Sequence, residues 1–187
     1  MDETPDETLM AEVARGDAAA LGALYDRYER ATFNLILRLA GNRQMAEELM
    51  QETFTRVWTT ARQFRPERGA FKGWLFTIAL NLTRSELSRK RYRVRHVEEE
   101  AAEAVASEST APDGLAARSQ DARRVAAALA RLTPLLREVV VLKVYHQLKF
   151  QEIARLTGAP EGTLKARFHR AVAHLRAQLG DAGSFWR

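Results

Sequence analysis

Cysteine is absent from this chain, which excludes disulfides and every metal site built on thiolates and is compatible with the cytosol. No stretch approaches the roughly 20 consecutive apolar residues that span a bilayer. Residues 1–8 are acidic, where a secretory signal would carry basic residues ahead of an apolar core, so no leader is expected. A glycine-rich phosphate cradle and a nucleophile elbow are both missing. The four histidines, His96, His146, His169 and His174, lack ligand spacing supported by nearby acids. No metal, no cofactor and no enzymatic activity are therefore expected.

What is present is the composition of a folded, soluble protein: 187 residues, 46% hydrophobic and 28% charged, enough for one large domain or two small ones. The net charge of +5 and a pI of about 9.9 permit nucleic-acid binding without requiring it. The distribution of charge is more informative. Arg84, Arg89, Lys90, Arg91, Arg93 and Arg95 are opposed only by Glu86, and the chain then turns acidic through Glu98, Glu99, Glu100, Glu103, Glu108 and Asp113. Residues 97–117 also carry Ala, Ser, Pro112 and Gly114 but few large apolar side chains, the composition of a linker. The expected fold class is all-α, with two small helical domains joined by a flexible acidic linker. The division is 1–96 for the first domain, 97–120 for the linker and 121–187 for the second.

Helical periodicity supports this division. Leu9, Val13, Leu21, Leu24, Tyr25, Tyr28, Phe33, Ile36, Leu37 and Ala40 recur at helical spacing until Gly41 and Asn42 stop the pattern. A helix over about 43–60 aligns Ala46, Met50, Thr53, Phe54 and Val57, leaving Glu48, Glu52, Thr55 and Thr59 opposite. A polar loop between Gln63 and Gly73 precedes a helix starting near Trp74. In the second domain Thr133 and Pro134 restart a helix, with the hydroxyl as cap and the proline in the first turn. Leu135, Leu136, Val139, Val140 and Leu142 give that helix a broad apolar face.

The sharpest local pattern follows. A short helix around Gln151–Leu156, the break Thr157-Gly158-Ala159-Pro160 and a longer helix from about Glu161 to Leu179 make a helix-turn-helix. Ala154 suits a close crossing, and Gly158 can take the positive φ such a turn needs. Thr163, Ala166, His169 and Arg170 point away from the apolar face, flanked by Lys165 and Arg167. Such a helix fits the major groove, where Arg, Lys and Thr can reach base edges or phosphates. Solvated charges on an ordinary helical hairpin would give the same pattern.

A second basic surface interleaves Phe64, Phe71, Trp74, Phe76 and Tyr92 with Arg62, Arg65, Arg68 and Lys72, a combination suited to opened or single-stranded DNA. Core packing is an equal reading for Trp74 and Phe76, while Phe64 and the loop from Arg65 to Gly69 are the better candidates for exposure. Glu47, Glu48 and Glu52, with Gln51 and Arg56, form a polar and mostly acidic face, fit either for a basic protein partner or for water.

Two long strings resemble one known family. Residues 46–58 (AEELMQETFTRVW), with Phe64-Arg65-Pro66 and residues 69–79 (GAFKGWLFTIA), are similar to the second conserved region of extracytoplasmic-function (ECF) sigma factors. Gln151-Glu152-Ile153-Ala154 and residues 160–171 (PEGTLKARFHRA) resemble their fourth region. The resemblance covers nearly all of residues 9–179. It implies a noncatalytic subunit that binds core RNA polymerase through Glu47, Glu48, Gln51, Glu52 and Trp58. It further implies capture of the single-stranded −10 element by Phe64, Arg65, Arg68, Lys72, Asn81, Arg84 and Arg89, and reading of the duplex −35 element by Thr163, Lys165, Arg167, His169 and Arg170. An anti-sigma factor is the implied inhibitor, and the implied location is cytoplasmic, with tethering at the inner membrane through that inhibitor. Two positions depart from the family's habit: Leu80 stands where an arginine often precedes the asparagine, and Gln147 where glycine is usual.

Two alternatives stay open on the residues themselves. One is a helix-turn-helix regulator that never joins polymerase. The other is a helical module that binds only proteins.

Overall fold

The computed structural model describes residues 4–100 and 120–179, with side chains described for 4–92 and 123–179. Every regular element among them is helical. Helix α1 (Asp6–Val13) is tied to α2 (Ala18–Ala40) by Asp6, which pairs with Arg27 and accepts from the Tyr28 hydroxyl. Asp17 caps α2 by accepting from the backbone of Ala19 and Ala20, and Gly41 ends it at φ 69, as expected of a left-handed stop. Asn42 then accepts from the Met45 N–H at 2.8 Å and starts α3 (Arg43–Thr60), so two adjacent residues close one helix and open the next.

Two short 3-10 turns, Ala61–Gln63 and Pro66–Arg68, lead into α4 (Phe71–Glu100), a 30-residue helix that begins three residues before the expected Trp74. The boundary expected between 96 and 97 falls inside this helix, whose backbone runs unbroken to Glu100. Residues 101–119, most of the proposed acidic linker, lie outside the described residues.

The C-terminal bundle comprises α5 (Gln120–Ala130), α6 (Pro134–Val140), α7 (Phe150–Thr157) and α8 (Glu161–Leu179). Pro134 occupies the first turn of α6 as expected, but the Thr133 hydroxyl makes no capping bond; its carbonyl takes the Leu136 and Arg137 N–H groups instead. A π-turn, Val141–Tyr145, extends α6. Leu135, expected on the apolar face, is half exposed (50%), and Glu138 is buried at 5%.

The core explains how the bundles sit together. Leu24, Leu35, Ile36, Val57, Phe71, Leu75 and Phe76 from the first bundle are continuous with Val139, Val141, Leu142, Ile153 and Leu164 from the second. A smaller cluster, including Leu129, Leu132, Val140, Ala171 and Leu175, belongs to the C-terminal bundle alone. Helix α7 thus rests against α4, and α6 and its π-turn against α2, so that one continuous apolar core joins the two bundles.

Candidate partner-protein and nucleic-acid interfaces

Helix α3 buries Ala46, Leu49, Met50, Thr53, Phe54 and Val57, and the same periodicity turns Glu47, Glu48, Gln51, Glu52, Thr55 and Trp58 to solvent. The acids on this face are held by local partners: Arg43 to Glu47 at 2.8 Å, Gln44 to Glu48 at 3.1 Å and Arg56 to Glu52 at 3.1 Å. Exposed helix pairs of this kind are weak and are easily exchanged for an incoming cation. Trp58 and Tyr25 are each 38% exposed, and the Tyr25 ring lies edge-on against Phe54 at 4.8 Å. The five residues expected to meet a protein partner therefore share one accessible surface, with an exposed tryptophan at its end.

The loop after α3 is exposed from Arg65 to Ala70, but Phe64 is not. Its ring is 8% exposed and packs on Phe71 (6.0 Å) and Trp74 (5.5 Å), while Phe71 packs in turn on Tyr28. This corrects the expectation that Phe64 is a free stacking platform. The turn at Ala61–Gln63 directs residue 64 inward, where burying a phenyl ring is worth about 1.5–3 kcal/mol. Arg65 folds back, its guanidinium donating to the Arg62 and Phe64 carbonyls, and Arg68 stands exposed. Lys72, half-buried, sits over the Phe76 ring at 5.6 Å.

Along α4, Asn81 is exposed, and so are Arg89, Lys90, Arg91 and Tyr92; Arg89 approaches Glu86 at 3.4 Å. Arg84 differs from these. Its Nε and Nη2 each donate at 2.7 Å to the two carboxylate oxygens of Glu138 in the other bundle. Those bonds raise the Arg84 pKa against the opposing effect of burial. A position expected to face DNA is here committed to a carboxylate.

The helix-turn-helix has the expected geometry. Gly158 ends α7 at φ 72, Ala154 packs into the core edge, and Leu164, Ala171, Val172 and Leu175 bury one side of α8. On the other side Gly162, Lys165, Ala166, His169 and Arg170 are exposed, with Thr163 and Arg167 half-buried at the margin. Glu161 pairs with Lys165 at 2.7 Å, and Lys143 and Lys165 lie over the Phe150 ring at 5.1 and 5.9 Å. Phe150 itself meets Phe168 edge-on at 5.8 Å, bracing the two helices of the motif.

Three residues to which the sequence assigned no role, Arg137, Glu138 and His146, organise the junction between bundles. Arg137 donates to the Leu39 carbonyl at the end of α2 (2.8 Å) and to Leu129, Ala130 and Leu132 at the end of α5, so one guanidinium satisfies two helix C-termini. Glu138 takes Arg84. His146 lies edge-on to Phe76 at 4.9 Å; burial first, then Lys72 and Arg38, pushes its pKa down to about 4. Its Nε2 has no hydrogen-bond partner among the described residues. In the sequence Arg137 and Glu138 stand together as two charges inside an otherwise apolar arc, and His146 only as a histidine without ligand spacing.

Comparison with known proteins agrees with this division. Residues 24–93 match the family description Sigma-70 region 2, and residues 122–175 match Sigma-70, region 4. The chain is 34% identical over 170 residues to the ECF RNA polymerase sigma factor SigL of Mycobacterium tuberculosis, covering 91% of this chain and 94% of the relative. It is 29% identical over 178 residues to the ECF sigma factor SigW of Bacillus subtilis, with 91% and 94% covered. Among solved structures, CnrH in complex with the cytosolic domain of CnrY gives a TM-score of 0.67 at 29% identity, covering 96% of this chain and 99% of that one. The sigma factor RpoE from Bartonella quintana, solved with the anti-sigma factor NepR, gives 0.67 at 26% identity, covering 83% and 93%. The region-2 match removes the reading as a plain helix-turn-helix regulator, and the region-4 match removes the reading as a purely protein-binding module. With both regions present in order and a relative matched almost end to end, the chain belongs to the ECF-type RNA polymerase sigma factors, which serve transcription initiation and are not themselves enzymes.

Proposed function

We propose that the outer face of α3, with Glu47, Glu48, Gln51, Glu52 and Trp58, docks on core RNA polymerase, its carboxylates exchanging local partners for basic groups of the enzyme. Arg65, Arg68, Lys72, Asn81 and Arg89 then hold the −10 element as a single strand. Phe64 supports that loop from beneath in the closed chain, and Arg84 joins the DNA-binding set only once it leaves Glu138. Thr163, Lys165, Arg167, His169 and Arg170 read or anchor the −35 duplex. The working division is 1–96 and 121–187, joined through 97–120. An anti-sigma factor is the proposed inhibitor, a reading supported by the two complexes among the structural relatives. A cytoplasmic location, with tethering to the membrane through that inhibitor, goes with it; no described helix is long and apolar enough to cross a membrane.

The observation that carries this reading is α8, whose cationic side is open to solvent while its apolar side is sealed. Reconstituted transcription with core polymerase across a promoter library tests it. Replacing Lys165 and Arg170 by Ala should weaken −35-dependent initiation about tenfold or more, since each lost base or phosphate contact costs about 1–3 kcal/mol. Unchanged promoter affinity and preference would remove both residues from the reading surface.

A further inference from the structure

We propose that Glu138 is an internal stand-in for a DNA phosphate, a latch that holds the two bundles closed and keeps Arg84 off nucleic acid until it is displaced. Arg84 and Glu138 are far apart in the chain and belong to different bundles, yet they meet through two parallel bonds of 2.7 Å. This fork is the geometry in which an arginine grips either a carboxylate or a phosphate, and one guanidinium cannot hold both. The carboxylate is secluded, with 7% of its side chain exposed, whereas that of Arg84 is 37% exposed and within reach of a competitor.

The latch sits on a continuous seam. Phe76, Leu80 and Arg84 follow one another at one-turn intervals along α4. The first touches His146 and the last Glu138, so the fully buried Leu80 between them faces the same bundle. Leu80 occupies the position before Asn81 where an arginine is more usual; here apolar bulk for the seam replaces a cation for DNA. Arg137, beside Glu138 on α6, crosses in parallel to the Leu39 carbonyl. The gating role rests on the proposed DNA contact of Arg84; the closure does not.

Because the chain has no cysteine, Leu80→Cys supplies a single thiol whose modification by a maleimide reports opening of the seam in the full-length protein. Glu138→Gln and Arg84→Gln, each added to it, should raise the modification rate about tenfold, while urea midpoints separate seam opening from global unfolding. With Leu80 intact, Glu138→Gln should raise affinity for a mixed-sequence single-stranded oligonucleotide about fivefold. Arg84→Gln should bring no gain, and the double variant should match Arg84→Gln alone. Unchanged thiol reactivity in both variants overturns the latch. Faster reactivity with no gain in affinity for Glu138→Gln overturns the phosphate-mimic role and, with it, the DNA assignment of Arg84. Should Glu138→Gln lose helicity, Arg84→Gln decides the closure by itself.

Discussion

At Gln147 the backbone takes φ 56, making it the one non-glycine residue with positive φ among those described. The side chain is exposed, so nothing in the packing repays the clash of Cβ with its own carbonyl. Gln147→Gly should therefore stabilise the fold, by about 0.5–1 kcal/mol once the greater freedom of glycine in the unfolded chain is subtracted. Urea denaturation of the two proteins measures this directly; a loss of stability would mean that the Gln147 side chain makes a compensating contact. The same scale holds the limits of reading from sequence. Gly41 and Gly158 were legible as left-handed stops because glycine announces that conformation, whereas at Gln147 the residue itself gives no such sign and only the family resemblance, with glycine usual there, points to it. The burial of Phe64 and of Glu138 escapes the sequence for a related reason. Residue type beside arginines suggested exposure for Phe64, and nothing in the sequence assigned Glu138 a place; neighbours distant in the chain decided both.

The helices themselves were largely written in the periodicity. Helix α3 and helix α8 occupy the expected spans, and the acidic and cationic faces emerge where alternate turns predicted them. The loop between α3 and α4 is the exception, since its aromatic residues have no helical period to assign them inward or outward. Phe64 anchors it through Phe71 and Trp74. Truncation to Ala leaves a cavity beneath the Arg65–Ala70 segment and should cost about 3–5 kcal/mol of stability. Phe64→Leu, retaining most of the volume, should cost far less. Thermal unfolding distinguishes the cases: equal losses for Ala and Leu would point to an aromatic interaction as the principal contribution, and no loss for either would contradict the burial.

At the scale of the molecule, two domains were legible from charge and composition, but their apposition was not. A seam made of Phe76, Leu80, Leu142 and Ile153 looks in sequence like ordinary core for each half, because no periodicity says which partner an apolar stripe will meet. His146 gives that seam a pH signature. Its pKa is lowered from 6.5 to about 4, so the folded chain keeps it neutral while the unfolded chain takes up a proton. Its contribution is intact above pH 6.5 and is lost as the pH falls from there toward 4, a loss on the order of 2–3 kcal/mol. Below that window Lys72 and Arg38 repel the new charge. His146→Gln should flatten the fall in urea midpoint across that window relative to the parent; parallel curves would show that His146 is not the titrating group.

The shared seam also constrains how the protein changes hands. Drawing the bundles apart wets several aliphatic and aromatic side chains at once, each costing about 1.5–3 kcal/mol if left bare. An extended form alone in water is thus both scarce and adhesive. Whatever pries the halves apart must offer greasy ground of its own, so that release from one binder and seizure by the next amount to a single handover with no free traveller in between.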